Sequence, residues 1–174
     1  MVTYLIDSDR VIPFLRGRTA ALELIASLDP LGLAISVITY AEVSEGVDSG
    51  RAGERQSAGW REFLKFVDVI PVDRAVADRF AAIRAELRPS GRLIADMDLL
   101  IAATALTHDL TLWVSWREAL LAAPVLAASI GLLDFVGARI KDFALRHSCR
   151  RPEDLPPGRP RRPSTGVVEA VRRN

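Results

Sequence analysis

The sequence contains few of the features on which secreted, membrane-spanning or nucleotide-binding proteins depend. A single cysteine, Cys149, excludes an internal disulfide framework and suits a reducing compartment. The longest uncharged stretch, residues 119–133, includes a proline and is shorter than the roughly 20 residues of a membrane helix. The N-terminus does not have the pattern of a secretion signal, and neither GxxxxGK[ST] nor GxGxxG occurs. We therefore expect a cytoplasmic protein with no membrane association and no glycine-rich phosphate loop.

Composition and hydrophobic patterning predict a soluble α/β domain with an appendage. Of the 174 residues, 49% are hydrophobic and 26% charged, with a formal net charge of only +1, which is typical of globular proteins and provides no overall field for nucleic acid. Short apolar runs alternate with helical patterns, which favours a parallel sheet of about four strands flanked by helices. The predicted strands cover 2–6, 33–38, 67–72 and 110–114, and the predicted helices 9–15, 19–28, 39–47, 60–66, 73–87 and 99–106.

Two local signals refine these boundaries. Thr39 and Glu42 stand at the spacing of a capping box, which predicts that a helix begins there. Pro71, near the end of the third strand, lacks a backbone donor and argues against a central position for that strand.

Acidic residues from three separate segments are predicted to meet at one edge of this sheet. Asp7 ends the first strand, Glu42 follows the second, and Asp96 with Asp98 opens the buried helix that precedes the fourth. Sites in parallel α/β sheets form beyond the carboxyl ends of the strands. Each acid has a plain structural explanation as a helix cap or a partner of the helix dipole. Capping alone, however, gives no reason for acids from three segments to lie at the same edge of the sheet. Carboxylates without histidine or cysteine suit Mg²⁺ or Mn²⁺ rather than zinc.

His108 is the competing catalytic candidate. It lies about ten residues beyond Asp98, or roughly 15 Å along a helix at about 1.5 Å per residue. That position favours a partner for the C-terminal helix dipole. His147 and Cys149 are too isolated to form a metal site.

Three segments carry a family resemblance: YLIDSD (4–9), ISVITYAEVSEGV (35–47) and DMDLLIAATALTHDLTL (96–112). They resemble successive signature segments of PIN-domain ribonucleases, in particular VapC-type toxins of type II toxin–antitoxin modules. The resemblance implies a three-layer PIN-like fold and a Mg²⁺-dependent endoribonuclease acting on structured or single-stranded RNA, with Mn²⁺ as an alternative ion. It identifies Asp7, Glu42 and Asp98 as catalytic metal-binding acids and Asp96 as an accessory metal-binding acid. Ser8 matches a small hydroxylated position that steadies the metal's water shell.

The resemblance also implies partners. A cognate antitoxin protein is expected to cover the acidic cleft, and the chain is expected to form a homodimer. Apolar stripes on the helices 19–28 and 39–47 could serve such contacts, or could face only the chain's own core. Four arginines are candidate phosphate contacts, or solvated surface residues: Arg10, Arg16, Arg18 and Arg92.

The family pattern stops near residue 114. The next segment reads VSWREALL, so Trp116 stands where the family places a fourth polar ligand, and Glu118 is displaced by two positions. Two interpretations stay open: an impaired ribonuclease, or an inactive PIN-fold protein that only binds an antitoxin.

The segments that follow differ in composition from the domain before them. We assign 1–114 to the PIN domain core, 115–149 to an atypical Ala/Leu-rich helical continuation, and 150–174 to a poorly ordered basic tail with seven arginines and five prolines. The family match stops abruptly, the fourth ligand is missing, the Ala/Leu content rises, and an Arg/Pro-rich tail of this kind is typical of GC-rich DNA read out of frame. We therefore expect the segment from about Ser115 to derive from a shifted reading frame or a replaced gene end.

Overall fold

A computed structural model describes residues 2, 4–90 and 95–113. The predicted helical continuation and basic tail therefore lie outside the described residues. The strands are β1 (Tyr4–Ile6), β2 (Leu33–Ser36), β3 (Asp68–Ile70) and β4 (Thr111–Trp113). The helices are α1 (Ser8–Leu15), α2 (Thr19–Leu28), α3 (Val37–Asp48), α4 (Glu54–Phe63), α5 (Arg74–Leu87) and α6 (Asp96–Thr107).

The four strands form one parallel sheet in the order β3-β2-β1-β4. Tyr4 pairs with Leu33 on one side and with Thr111 on the other, so β1 and β2 are central. The edge position of β3 confirms the expectation drawn from Pro71. A three-layer α/β fold results, because helices cover both faces of the sheet.

Successive side chains of each strand point to opposite faces of the sheet, so each face packs against its own layer of helices. On one face, Tyr4 and Ile6 pack with buried residues of α1, α2 and α4. On the other, Leu5 and Ala34 pack against Ile101 and Ala105 of α6, and α6 in turn packs on α5. The predicted buried helix is α6, with six of its residues buried.

Two predicted helix starts are wrong, each for its own reason. The helix expected to open at Thr39 begins at Val37, because the Ser36 side chain accepts from the Thr39 amide and caps it. This local cap ends β2 at Ser36, two residues before the predicted end of the strand. The fourth helix begins at Glu54, six residues before Trp60, because its first two turns are polar and gave no apolar period.

The apolar stripe of α2 faces the chain's own core. Ala21, Leu22, Ile25 and Leu28 are all buried there, so of the two readings of this stripe the core reading is correct. On α3 only Thr39 and Val43 are buried, and Tyr40 remains 37% exposed. Within the described ranges, the helices are too short or too polar to cross a membrane.

Candidate active site

The parallel topology brings the predicted acids toward one end of the sheet. β1 and β2 run in the same direction, so Asp7 and the start of α3 follow neighbouring carboxyl ends. α6 packs across the sheet and leads into the amino end of β4. Its first turn, with Asp96 and Asp98, therefore lies toward the opposite, carboxyl edge.

Asp7 is the buried member of this group, with 7% of its surface exposed. It is the N-cap of α1, and its Oδ1 accepts from the Ser8 amide at 2.7 Å. The same Oδ1 accepts from the Thr39 hydroxyl at 3.0 Å. Its backbone amide donates to the Trp113 carbonyl at 3.3 Å. The carboxylate is thus held between β1, α1 and α3.

Burial raises the pKa of the Asp7 carboxyl from 3.8 to about 6. This pKa of about 6 is the net result, since the negative charges of Asp9 and Glu42 also raise it while the hydrogen bonds from Ser8 and Thr39 lower it. Asp7, Asp9 and Glu42 are therefore close enough for their charges to interact. Glu42 itself is exposed, in the second turn of α3.

Asp96 and Asp98 are both exposed in the first turn of α6. Asp96 forms an ion pair with Arg84 of α5, whose guanidinium lies 5.6 Å from the centre of the Phe80 ring. This pair joins the end of α5 to the start of α6. Asp96 therefore has a partner within the protein, which sequence reasoning did not foresee.

Within the part of the chain that the structure describes, no three acidic, histidine or cysteine side chains lie close enough to enclose a metal ion. The donor chemistry nevertheless fits a hard cation. The Asp7 carboxylate is buried beside the negative charges of Asp9 and Glu42, and a divalent ion would offset the repulsion between them. Mg²⁺ is usually bound by one or two carboxylates with water and substrate oxygens completing the shell, so a full protein cage is not required.

The remaining candidates are placed as follows. Ser8 is the first residue of α1 and is partly exposed. Arg10 lies on the same helix near Asp9, with Nε 3.9 Å from Oδ2. Arg16 and Arg18 are exposed, and Arg92 lies outside the described residues. His108 is the C-cap of α6, at the far end from Asp98, as expected.

Sequence reasoning missed Thr39 and Ser36 as parts of this site. Both are fully buried polar residues, and their hydroxyl oxygens are 3.0 Å apart. A buried hydroxyl needs a partner, but the capping-box pattern had already assigned Thr39 a local one. The better signal was the SVIT spacing, in which a serine precedes the threonine by three residues and can cap the helix itself.

Comparison with known proteins extends this description. The PIN domain family model matches residues 4–115. Ribonuclease VapC10 of Mycobacterium tuberculosis is 39% identical over 109 residues, covering 62% of this chain and 78% of the relative. The tRNA(fMet)-specific endonuclease VapC of Shigella flexneri is 28% identical over 110 residues, covering 63% of this chain and 83% of the relative.

Solved structures of similar proteins have the same fold as this chain. FitAcB from Neisseria gonorrhoeae superposes with a TM-score of 0.56 at 29% identity, over 63% of this chain and 85% of that one. VapBC2 from Rickettsia felis, bound to a promoter DNA fragment, superposes with a TM-score of 0.63 over 72% of this chain and 95% of that one; at 23% identity it supports the fold alone. From the family match and these relatives, the chain belongs to the PIN-domain family and, within it, to the VapC-type toxins.

Proposed function

We propose that this chain is the toxin of a type II toxin–antitoxin pair and acts in the cytoplasm as a metal-dependent endoribonuclease. The observation that carries the proposal is the buried Asp7 carboxylate at the carboxyl edge of the sheet, beside Glu42. The relatives named above are ribonucleases, and the solved neighbours include toxin–antitoxin complexes. Fold, acids and relatives therefore favour the same chemistry.

Asp7, Glu42 and Asp98 would hold the ion, with Asp96 as an accessory acid. Mg²⁺, or Mn²⁺ in its place, supplies charge for a phosphodiester and its attacking water. The protein would contribute the geometry. Two hydrogen bonds on Oδ1 orient Asp7, and the exposed carboxylates of Glu42 and Asp98 would complete the ligand set from the solvent side. Asp96 would have to share its carboxylate with Arg84.

Structured or single-stranded RNA is the proposed substrate. Bases of loops and single strands can splay away while a phosphate reaches a recessed acidic site. Because the net charge is only +1, cations near the acids must supply the attraction. Arg10 lies on α1 beside Asp9. Arg16, the C-cap of α1, and Arg18, the N-cap of α2, are exposed.

An antitoxin and a second copy of the chain are the proposed protein partners. One solved neighbour, from Klebsiella pneumoniae, is a toxin–antitoxin complex, which supports the antitoxin part of this proposal. The α2 stripe is used in the core, so α3 is the better candidate of the two helices first considered for such contacts. Tyr40 on α3 is 37% exposed and packs on Trp60, with ring centroids 5.7 Å apart.

Substitution of Asp98 by asparagine tests the active-site assignment. Asparagine keeps a side-chain oxygen for the helix start and removes the charge. We expect Asp98→Asn to fold like the parent chain but to lose Mg²⁺-dependent cleavage of RNA and toxicity on expression. Asp48→Asn, at the far end of α3, is the matched control and should cleave normally. Equal cleavage by Asp98→Asn and the parent chain would show the assignment to be wrong.

A parent chain that cleaves no RNA at any Mg²⁺ or Mn²⁺ concentration, yet binds an antitoxin, would favour the inactive-module alternative. Trp116 in the place of a fourth polar ligand predicts that any activity requires high metal concentrations, since fewer protein oxygens bind the ion.

A further inference from the structure

A short chain of buried hydroxyl groups leads from β2 to the active-site carboxylate. The Thr39 amide donates to Ser36 Oγ at 3.0 Å, the two hydroxyl oxygens lie 3.0 Å apart, and the Thr39 hydroxyl donates to Asp7 Oδ1 at 3.0 Å. Ser36 and Thr39 are completely buried. These contacts connect residues 32 positions apart in the sequence.

The direction of this chain follows from the number of hydrogens available. An ionised carboxylate only accepts, so the single hydroxyl hydrogen of Thr39 is committed to Asp7. The bond between the hydroxyls must then be donated by Ser36 to Thr39. Ser36 Oγ in turn accepts from the Thr39 amide, so each member has a defined role. Hydrogen bonds aligned in this way strengthen one another.

The arrangement distinguishes the two oxygens of Asp7. Among the described residues, the Ser8 amide and the Thr39 hydroxyl donate to its side chain, and both bonds end on Oδ1. Oδ2 is the oxygen that neither of them occupies. Two donors on one oxygen fix the carboxylate plane and its rotation about the last side-chain bond.

We propose that Thr39 is a positioning residue of the active site: its hydroxyl, oriented by Ser36, holds Oδ1 of Asp7 and presents Oδ2 to the divalent cation. This inference rests on the proposed function. It assigns to α3 two separate contributions, an acid at Glu42 and a hydrogen-bond donor three residues earlier. Partners of metal ligands typically change metal affinity by about 10- to 100-fold.

Mn²⁺ binding to the full chain, measured by calorimetry at pH 7.5 in the absence of RNA, tests the proposal. Thr39→Val keeps the shape and removes the hydroxyl, and should bind Mn²⁺ about tenfold or more weakly. Thr39→Ser keeps the hydroxyl and should stay close to the parent. Thr104→Val is the matched control, because Thr104 is also fully buried but donates to the Leu100 carbonyl of its own helix; it should bind Mn²⁺ like the parent.

Two results would overturn the inference. One is Thr39→Val binding Mn²⁺ like the parent; the other is Thr39→Ser binding it as weakly as Thr39→Val, which would show that any change of packing at this position weakens binding, whether or not the hydroxyl is present. If Thr39→Val does not fold, Ser36→Ala decides. That variant removes the donor that orients Thr39, so it should weaken Mn²⁺ binding, and an unchanged affinity refutes the proposal.

Asp7→Asn separates this inference from the proposed function. If Asp7→Asn loses Mn²⁺ binding while Thr39→Val keeps it, only the role of Thr39 is wrong. If Asp7→Asn binds Mn²⁺ as tightly as the parent, or the parent binds none, the metal site of the proposed function fails and the inference fails with it.

Discussion

Replacement of Asp7 by asparagine should stabilise the fold in metal-free buffer at neutral pH, although it removes an active-site acid. Burial raises the pKa of Asp7 from 3.8 to about 6, so the folded chain is penalised for the charge that it carries above that pH. Asparagine can accept the same two hydrogen bonds on Oδ1, from Ser8 and Thr39. It therefore removes the penalty and keeps the local contacts.

The magnitude follows from the pKa difference. Each pKa unit corresponds to about 1.36 kcal/mol, so the rise of the Asp7 pKa to about 6 represents about 3 kcal/mol above pH 7. Between pH 3.8 and 6 the folded state binds more protons at Asp7 than the unfolded state does, so the penalty grows as the pH rises through this window. It should be below about 1 kcal/mol at pH 4 and constant above pH 7.

Urea denaturation with EDTA, at pH 7.5 and at pH 4, measures this effect. The gain in the free energy of unfolding from Asp7→Asn should be largest at pH 7.5 and nearly vanish at pH 4. Asp73→Asn is the matched control, since Asp73 also caps a helix but is exposed; it should change stability by less than about 0.5 kcal/mol at either pH. A variant no more stable than the parent at pH 7.5, or a gain independent of pH, would refute the reasoning. Added Mg²⁺ should stabilise the parent and not the variant.

Three further outcomes are expected. Arg84→Ala removes the ion pair with Asp96, but because both side chains are partly exposed, the loss of unfolding free energy should be no more than about 1 kcal/mol, and a loss above about 2 kcal/mol in urea would contradict this. Phe63→Ala empties a fully buried site and should cost about 3–5 kcal/mol, whereas Val69→Ala on the exposed edge strand should cost less than about 1 kcal/mol; similar costs at the two positions would show that the core is misassigned. Sequencing of the gene should find the codons GAG-GCA-CTT-CTC at positions 118–121. Read one base later, and with the G that follows, these bases encode Arg-His-Phe-Ser. Other codons, with no reading frame that restores an Asn or Asp followed by Phe, would rule out a frame shift as the origin of residues 115–174.

Sequence patterns predicted the sheet and most of the helices because burial leaves a strong periodic signal. The apolar run of α6 has no polar face, so its burial was evident from composition alone. The helices predicted over 9–15 and 73–87 agree with the observed bounds to within one residue. Their ends are local features, since Asp73 caps the start of α5 with its side chain and Gly17, with φ of +72°, follows the end of α1. The polar first turns of α4 left no such signal.

The sequence alone also determined the family and the acids that define the candidate site, because residue type and spacing are visible in one dimension. Tertiary structure decided which of those acids is buried, since the pKa of Asp7 depends on the packing of β1, α1 and α3 around it. It also decided that Asp96 pairs with Arg84, and that Thr39 serves Asp7 instead of its own helix end. Each of these contacts joins two different secondary-structure elements, and a short, directional hydrogen bond or ion pair between elements leaves no periodic trace in the sequence.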